Sequence, residues 1–469
     1  MPESSEQSRP NFSQDKNSLS AGLYGFGSMI RVAQITKNPI FAAIVVLPIF
    51  ALVASVFTAC SFGGGGGSSD SSRENVASKT EIAATLNDLQ VALDSWRENE
   101  RITGASMSVF SAATGQLDLA SGVAKRSIDP DRFPDEILTV DRPMFAGDLT
   151  HTLVAALVIQ LARQGALTLD SPIAEWFPEI EQASRITIRN LLEHTSGIPV
   201  FYTEDFLDVL YEQEPNLAQS PDDVIAVAAA ASGGSYFSPG TQYGYSKTNF
   251  LILGRVIEMV TGQPLEAELR DSFFEPLGLD NTYLAGRENI PGSTPLGYEY
   301  AGPGTNAPTA VDGHVPQTPA ISVISAEWAS GALVSTPRDI TRLVQAIFEP
   351  QEFPEFPELE GVAQEMLRIA DHPAQESGPV RVDSGAGVFV WTENGKQVVG
   401  QFGFLYPFSA QFTYWPESGS GPGIIIVVMA NEVDSSRNPN SNFQLPVIED
   451  LTKGAKRILD AVQKGRPAR

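Results

Sequence analysis

The run GIIIVVMANE (Gly423 to Glu432) limits the fold more than any other stretch of the chain. Its unbroken apolar stretch, Ile424 to Ala430, leaves neither face of an extended segment suited to water. That pattern predicts a central strand covered on both faces. Before it, SGAGVFVWT, GKQVVGQFG and SAQFTYWPE read as three further strands, and after it LPVIEDLTKGAKRILDAV reads as a closing helix.

The other end of the chain supplies matching pieces. SKTEIAATLNDLQVALDSWRENE (Ser78 to Glu100) sets Ile82, Leu86, Leu89, Leu93 and Trp96 at helical spacing behind a Ser78 cap. GASMSVFSAATGQLDLASGVA (Gly104 to Ala124) alternates apolar and polar residues about ATGQ, which predicts a β-hairpin. Between these ends the chain is mainly helical: Leu149 to Arg163, Ile188 to Leu192, Pro221 to Ala231, Asn249 to Thr261 and Leu265 to Phe274, with Leu167 to Phe177 as a turn-rich connection. Leu284 to Ala320, rich in Gly, Pro, Asn and Thr, predicts a long ordered loop. Ser325 to Phe348 ends in an amphipathic helix begun at Ser335 or Thr336, and EPQEFPEFPELEG predicts an acidic, solvated loop.

One sheet assembled from both chain ends, flanked by helices and carrying a mainly helical insertion, is an α+β architecture, and a cleft between its two parts is where a ligand would sit. The organisation expected is a signal or anchor at 1–60, a Gly/Ser-rich tether at 61–77 and a folded unit at 78–465. Its α/β part is about 78–145 and 325–465, and the helical insertion about 146–324.

A formal charge of −25 and a pI near 4.5 repel polyanions, so nucleic acid and anionic membrane surfaces are not expected partners. The single cysteine, Cys60, excludes an intramolecular disulfide framework. It ends the apolar run PIFAAIVVLPIFALVASVFTAC, about 20 residues and long enough to cross a bilayer. Arg31 and Lys37 precede the run, Thr58 and Ala59 stand just before the cysteine, and SFGGGGGSSDSS follows it. The whole resembles a bacterial lipoprotein signal with Cys60 as the lipidated residue; an uncleaved membrane anchor is the alternative. Either places Ser61 onward outside the cytoplasm, on the membrane of the cell envelope. The histidines, His151, His194, His314 and His372, show no ligand spacing, so neither a metal nor another cofactor is expected.

FAGDLTHTLVAALVIQLARQGALTLD, ITIRNLLEHTSGI, FSPGTQYGYSKTNFLILGRVIEMVTGQPLEAELRDSFFEPLGLDNTYL, SGALVSTPRDITRLVQAI and GQFGFLYPFSAQFTYWPESG follow one another in an order that resembles the serine β-lactamase and penicillin-binding protein superfamily, in its class C-like branch. The likeness runs from about Ile82 to Val462. It implies a Ser-x-x-Lys at a helix start, with nucleophile and proton acceptor on one face, a Tyr-x-Asn element, and a Lys- or His-x-Gly strand. Here Asp148 stands at the serine position and His151 at the lysine position. Tyr245 is kept, Lys247 stands at the Asn position, Gln401 replaces the basic residue, and Gly403 is retained.

A carboxylate is not a hydroxyl nucleophile, and residues that act as one catalytic unit fail together. The resemblance therefore implies a fold without its serine-hydrolase chemistry: an envelope lipoprotein that binds a cell-wall fragment, a lipid or an envelope protein. Two alternatives stand beside it. One is an esterase-, peptidase- or β-lactamase-type hydrolase using Asp148, His151 and Tyr245 in new roles. The other is a structural protein whose cleft is filled by Phe402, Phe404, Leu405, Tyr406 and Phe408. The resemblance implies that the positions of Asp148 and Lys247 converge on one cleft, and because a buried unpaired charge is costly the two are expected to form a salt bridge there. In the superfamily the segment around His194 and Ser196 is a structural turn.

Overall fold

The computed structural model describes residues 77–129, 131–230, 235–302, 309–369, 382–416, 423–434 and 448–463; the Cys60 signal and the tether lie outside these. The strands are β1 (Gly104–Ser111), β2 (Gly115–Lys125), β3 (Glu136–Ile137), β4 (Met144–Gly147), β5 (Tyr283–Leu284), β6 (Gly297–Tyr300), β7 (His314–Gln317), β8 (Leu333–Ser335), β9 (Val382–Ser384), β10 (Phe389–Glu393), β11 (Lys396–Leu405), β12 (Phe408–Trp415), β13 (Ile424–Ala430) and β14 (Glu432–Asp434). The longer helices are α1 (Lys79–Glu100), α2 (Leu149–Arg163), α3 (Thr248–Thr261), α4 (Ile321–Gly331), α5 (Pro337–Phe348) and α6 (Ile448–Gln463).

Eight strands form the main sheet in the order β3-β2-β1-β13-β12-β11-β10-β9, so β13 joins the N-terminal hairpin to the C-terminal strands. Its pairings are antiparallel, with Ala105 opposite Ala430 on one side and Phe412 opposite Val427 on the other. Strand periodicity divides its side chains between two cores. Ile425, Val427 and Met429 enter the larger core with α2, α3 and α5. Ile424, Ile426, Val428 and Ala430 enter the smaller one with Leu89, Leu93 and Trp96 of α1 and Leu451, Ala455 and Leu459 of α6. Each fully buried Ile or Val contributes about 1.5–3 kcal/mol before chain entropy is subtracted, which explains the all-apolar run.

Helix starts follow their caps. Ser78 and Glu81 form a capping box at α1, and Thr336 accepts the Asp339 N–H at α5, whose Pro337 opens the first turn.

Several expectations need correction. The buried face of α1 runs through Thr85, Leu89, Leu93 and Trp96, leaving Leu86 exposed. Leu284 to Ala320 is not only a loop: β6 and β7 pair within it, and β14 adds a parallel strand. Each strand has only three or four residues, too few to show a period. Glu432 at the start of β14 bonds both His314 Nδ1 and the Thr103 N–H, and His314 Nε2 lies 3.1 Å from Arg126, which ties this small sheet to the main one. The acidic loop after α5 is only partly solvated, since Phe353 and Leu359 are buried and Glu349 bonds Tyr414 and the Gly423 N–H. Its prolines open short 3-10 turns that carry these apolar residues inward. Leu265–Leu269 continues as a π-helix through Phe274, and a helix and π-helix span Glu204–Gln213 where none was expected.

Candidate functional site

Strand β4 pairs with β8 and delivers the chain directly to Asp148, the N-cap of α2. Asp148 makes no side-chain cap to its own helix. Its carboxylate instead reaches across to two other segments, the loop that carries Tyr245 and Lys247 and strand β11. Oδ1 accepts the Tyr245 hydroxyl and lies 3.0 Å from Lys247 Nζ, while Oδ2 accepts the Phe404 N–H at 3.1 Å. The expected Asp148–Lys247 salt bridge is present.

Phe404 comes this close because two glycines let β4 and β11 touch. A Cβ at Gly403 would lie 1.8 Å from the Ala146 carbonyl oxygen, and one at Gly147, whose φ is +54°, would lie 2.3 Å from the Phe404 nitrogen. Gly403 is therefore a packing requirement.

Lys247 has a second carboxyl partner that sequence reasoning missed. Both carboxyl oxygens of Glu327, on α4, lie 3.0 Å from Nζ. Glu327 also accepts the Tyr202 hydroxyl and, at 3.0 Å, the Ser330 hydroxyl. The next residue, Trp328, has φ 29° and ψ −110°, a break inside the helix that costs about 1–3 kcal/mol. Its indole is buried against Gly254 of α3, where a Cβ would meet the ring at 3.0 Å, and this contact holds the break. One signal pointed to Glu327: it is the sole charge in AISVISAEWASGALVS (Ala320 to Ser335), and an isolated charge in an apolar helix needs a partner.

The centre is dry. Asp148 is 7% exposed and Glu327 1%, and the Lys247 side chain only 11%, so little of the expected cleft is open at these positions. Two carboxylates and one ammonium cannot all stay charged there at low cost. Burial, reinforced by the Asp148 charge, holds the Glu327 carboxyl well above the usual carboxylate range, so Glu327 carries the proton. Burial, then the charge and hydrogen bond of Asp148, pushes the Tyr245 hydroxyl far above its usual range. Tyr245 is thus a donor and not a base.

His151 lies wholly inside, stacked on Phe250 with ring centroids 3.8 Å apart. Its Nε2 is 3.8 Å from Asp148 Oδ1, beyond hydrogen-bond length, and neither ring nitrogen has a hydrogen-bond partner among the described residues. Burial and the Lys247 charge drive its pKa well below the ordinary value, leaving a neutral ring. His194, at φ 55°, is also neutral through burial; its Nδ1 accepts the Ser246 N–H at 3.2 Å and its ring lies 4.6 Å from that of Tyr245. Ser196 donates to Asn249 at 2.7 Å. This segment therefore supports the Tyr245 loop.

Gln401 does not join the charged group. It donates to the Gly387 carbonyl at 3.3 Å and accepts the Phe402 N–H at 3.0 Å. Leu405 and Phe408 are core residues, whereas Phe402, Phe404 and Tyr406 are half-buried.

An antiparallel sheet closed by both chain ends, with a helix starting beneath β11 and a tyrosine loop facing that start, defines an α+β fold of the β-lactamase type. The sequence matches the Beta-lactamase family over residues 90–446, and the chain belongs to that family. It is 35% identical over 209 residues to penicillin-binding protein 4 of Amycolatopsis lactamdurans, covering 43% of this chain and 50% of that protein. It is 26% identical over 227 residues to esterase EstB of Burkholderia gladioli, covering 44% and 54%. The chain thus spans about half the length of the curated relatives it matches. The D-amino acid amidase of Ochrobactrum anthropi SV3, complexed with L-phenylalanine amide, superposes with a TM-score of 0.65 at 22% identity over 81% of this chain and 99% of the amidase.

Proposed function

We propose that this is a non-hydrolytic member of the family, held at the outer face of a bacterial membrane through Cys60, whose former reaction centre now serves the fold. The observation that carries this reading is the state of Asp148. Where the family's nucleophilic serine is expected, a carboxylate is bound by Lys247, Tyr245 and the Phe404 N–H. Among the described residues, Lys247 and Tyr245 are turned to Asp148, and His151 is fully buried.

A cell-wall, lipid or protein ligand would then bind elsewhere. An open cavity of about 500 Å³ offers one place, lined by Trp176, Phe177, Ile225 and Met259 with Glu179 and Asp222 among its walls. That volume lies within the usual range for small-ligand pockets.

The test is incubation of the protein with a fluorescent penicillin and a panel of activated esters. The expected result is neither covalent labelling nor turnover. Turnover lost in Asp148→Ala or Tyr245→Phe would establish a hydrolase with rearranged chemistry and sink this reading.

A further inference from the structure

We propose that Asp148 and Lys247 become covalently joined, by an amide between the Asp148 side-chain carbonyl and Lys247 Nζ that forms within the folded chain without an added reagent. An amine and a carboxyl group are already in place, with Nζ 3.0 Å from Oδ1, an oxygen bonded to Cγ. Amide formation from these groups releases water, which bulk solvent opposes and a dry site favours; both side chains are about nine-tenths buried.

The surrounding groups match the needs of the step. The Phe404 N–H points at Oδ2, where negative charge develops when Nζ adds to Cγ. Tyr245 donates to Oδ1, the oxygen that leaves. Glu327 has both oxygens 3.0 Å from Nζ and can take one proton while giving another. Tyr202 and Ser330 hold that carboxyl in position.

Starting from carboxylate and ammonium, one proton passes from Nζ to Oδ1, leaving a neutral amine and acid. The nitrogen lone pair forms the C–N bond, and the carbonyl π electrons move to Oδ2 under the Phe404 N–H. Glu327 accepts a second proton from nitrogen and gives its own to Oδ1, which bond formation has brought within reach. The Cγ–Oδ1 bond breaks with its electron pair on oxygen, water leaves, and the C=O bond to Oδ2 reforms. One amide and one water replace one ammonium and one carboxylate, and Glu327 ends as it began.

This goes beyond the non-hydrolytic reading, and the two fail separately. The experiment is digestion and mass spectrometry of the full chain purified from an expressing cell in detergent. A branched peptide joining Asp148 to Lys247, lighter than its two linear parts by one water, is the expected product. It should be lost in Lys247→Arg and Asp148→Ala and lost or strongly reduced in Glu327→Gln. Recovery of only the two linear peptides from the wild type overturns the cross-link, even if the chain hydrolyses nothing. A Glu327→Gln chain linked as fully as the wild type overturns the proton relay.

Discussion

Replacing Gly403 by alanine tests the geometry on which the closed centre depends. The added Cβ would lie 1.8 Å from the Ala146 carbonyl oxygen and 2.8 Å from Leu149 Cδ1, whereas such contacts below 3.0 Å are essentially never observed. Backbone lies on both sides of the clash, so no side-chain rotation can relieve it. Strands β4 and β11 must separate by about 1.2 Å, which would pull the Phe404 N–H away from Asp148. Overpacking typically costs about 1–3 kcal/mol, and a backbone clash belongs at or above the upper end. At about 2.1 cal/mol/K per residue, a folded unit of roughly 380 residues unfolds with an entropy near 0.8 kcal/mol/K, so Gly403→Ala should lower Tm by about 4 °C or more.

Gly454→Ala is the internal control. Gly454 sits in α6 with nothing within 4 Å of a built Cβ, so alanine should stabilise by about 0.5–1 kcal/mol and raise Tm by about 1 °C. Differential scanning calorimetry of the two variants beside the wild type reads both signs. A Gly403→Ala chain that unfolds within a degree of the wild type would show that β4 and β11 do not meet as described.

Two further outcomes are expected. Burial raises the Glu193 carboxyl to about 7, against a partial opposing pull from Arg189. Because its folded pKa lies above the unfolded one, its contribution to stability is full below about pH 4.5 and is lost as the pH rises through 7. Glu193→Gln should therefore flatten the urea midpoint between those limits and gain on the order of 1 kcal/mol at pH 8, and an unchanged slope would refute the assignment. Asp148→Ser alone should remain unlabelled by a fluorescent penicillin, since His151 is neutral and sealed and Lys247 stays engaged by Glu327; stoichiometric labelling would show that a single hydroxyl restores the chemistry.

The sheet was readable wherever a segment was long enough to show its period. The apolar run of β13, the alternation in the β1–β2 hairpin and the Thr336 cap each follow from local chemistry, and each element formed where that chemistry pointed. The two- to four-residue strands β5, β6 and β7 offered no such signal, because their pairing is fixed by partners distant in sequence. The same divide runs through the site. The Asp148–Lys247 pair could be anticipated because the superfamily resemblance sets both positions on one cleft and burying either charge alone is costly. Gln401 carries no charge to sort in that way, and for Glu327 the same cost called for a partner without naming it. Gln401 turned to the Gly387 carbonyl and its own strand, whereas Glu327 reached Lys247 from a helix with no motif to mark it.

The central claim is that the polar groups around Asp148 hold the fold together and do not turn over a substrate. Its most direct test is the hydrolysis rate of an activated ester by the purified wild-type chain, measured against Asp148→Ala and against buffer. The account predicts three indistinguishable rates; a wild-type rate above buffer that falls to the buffer level in Asp148→Ala would contradict it.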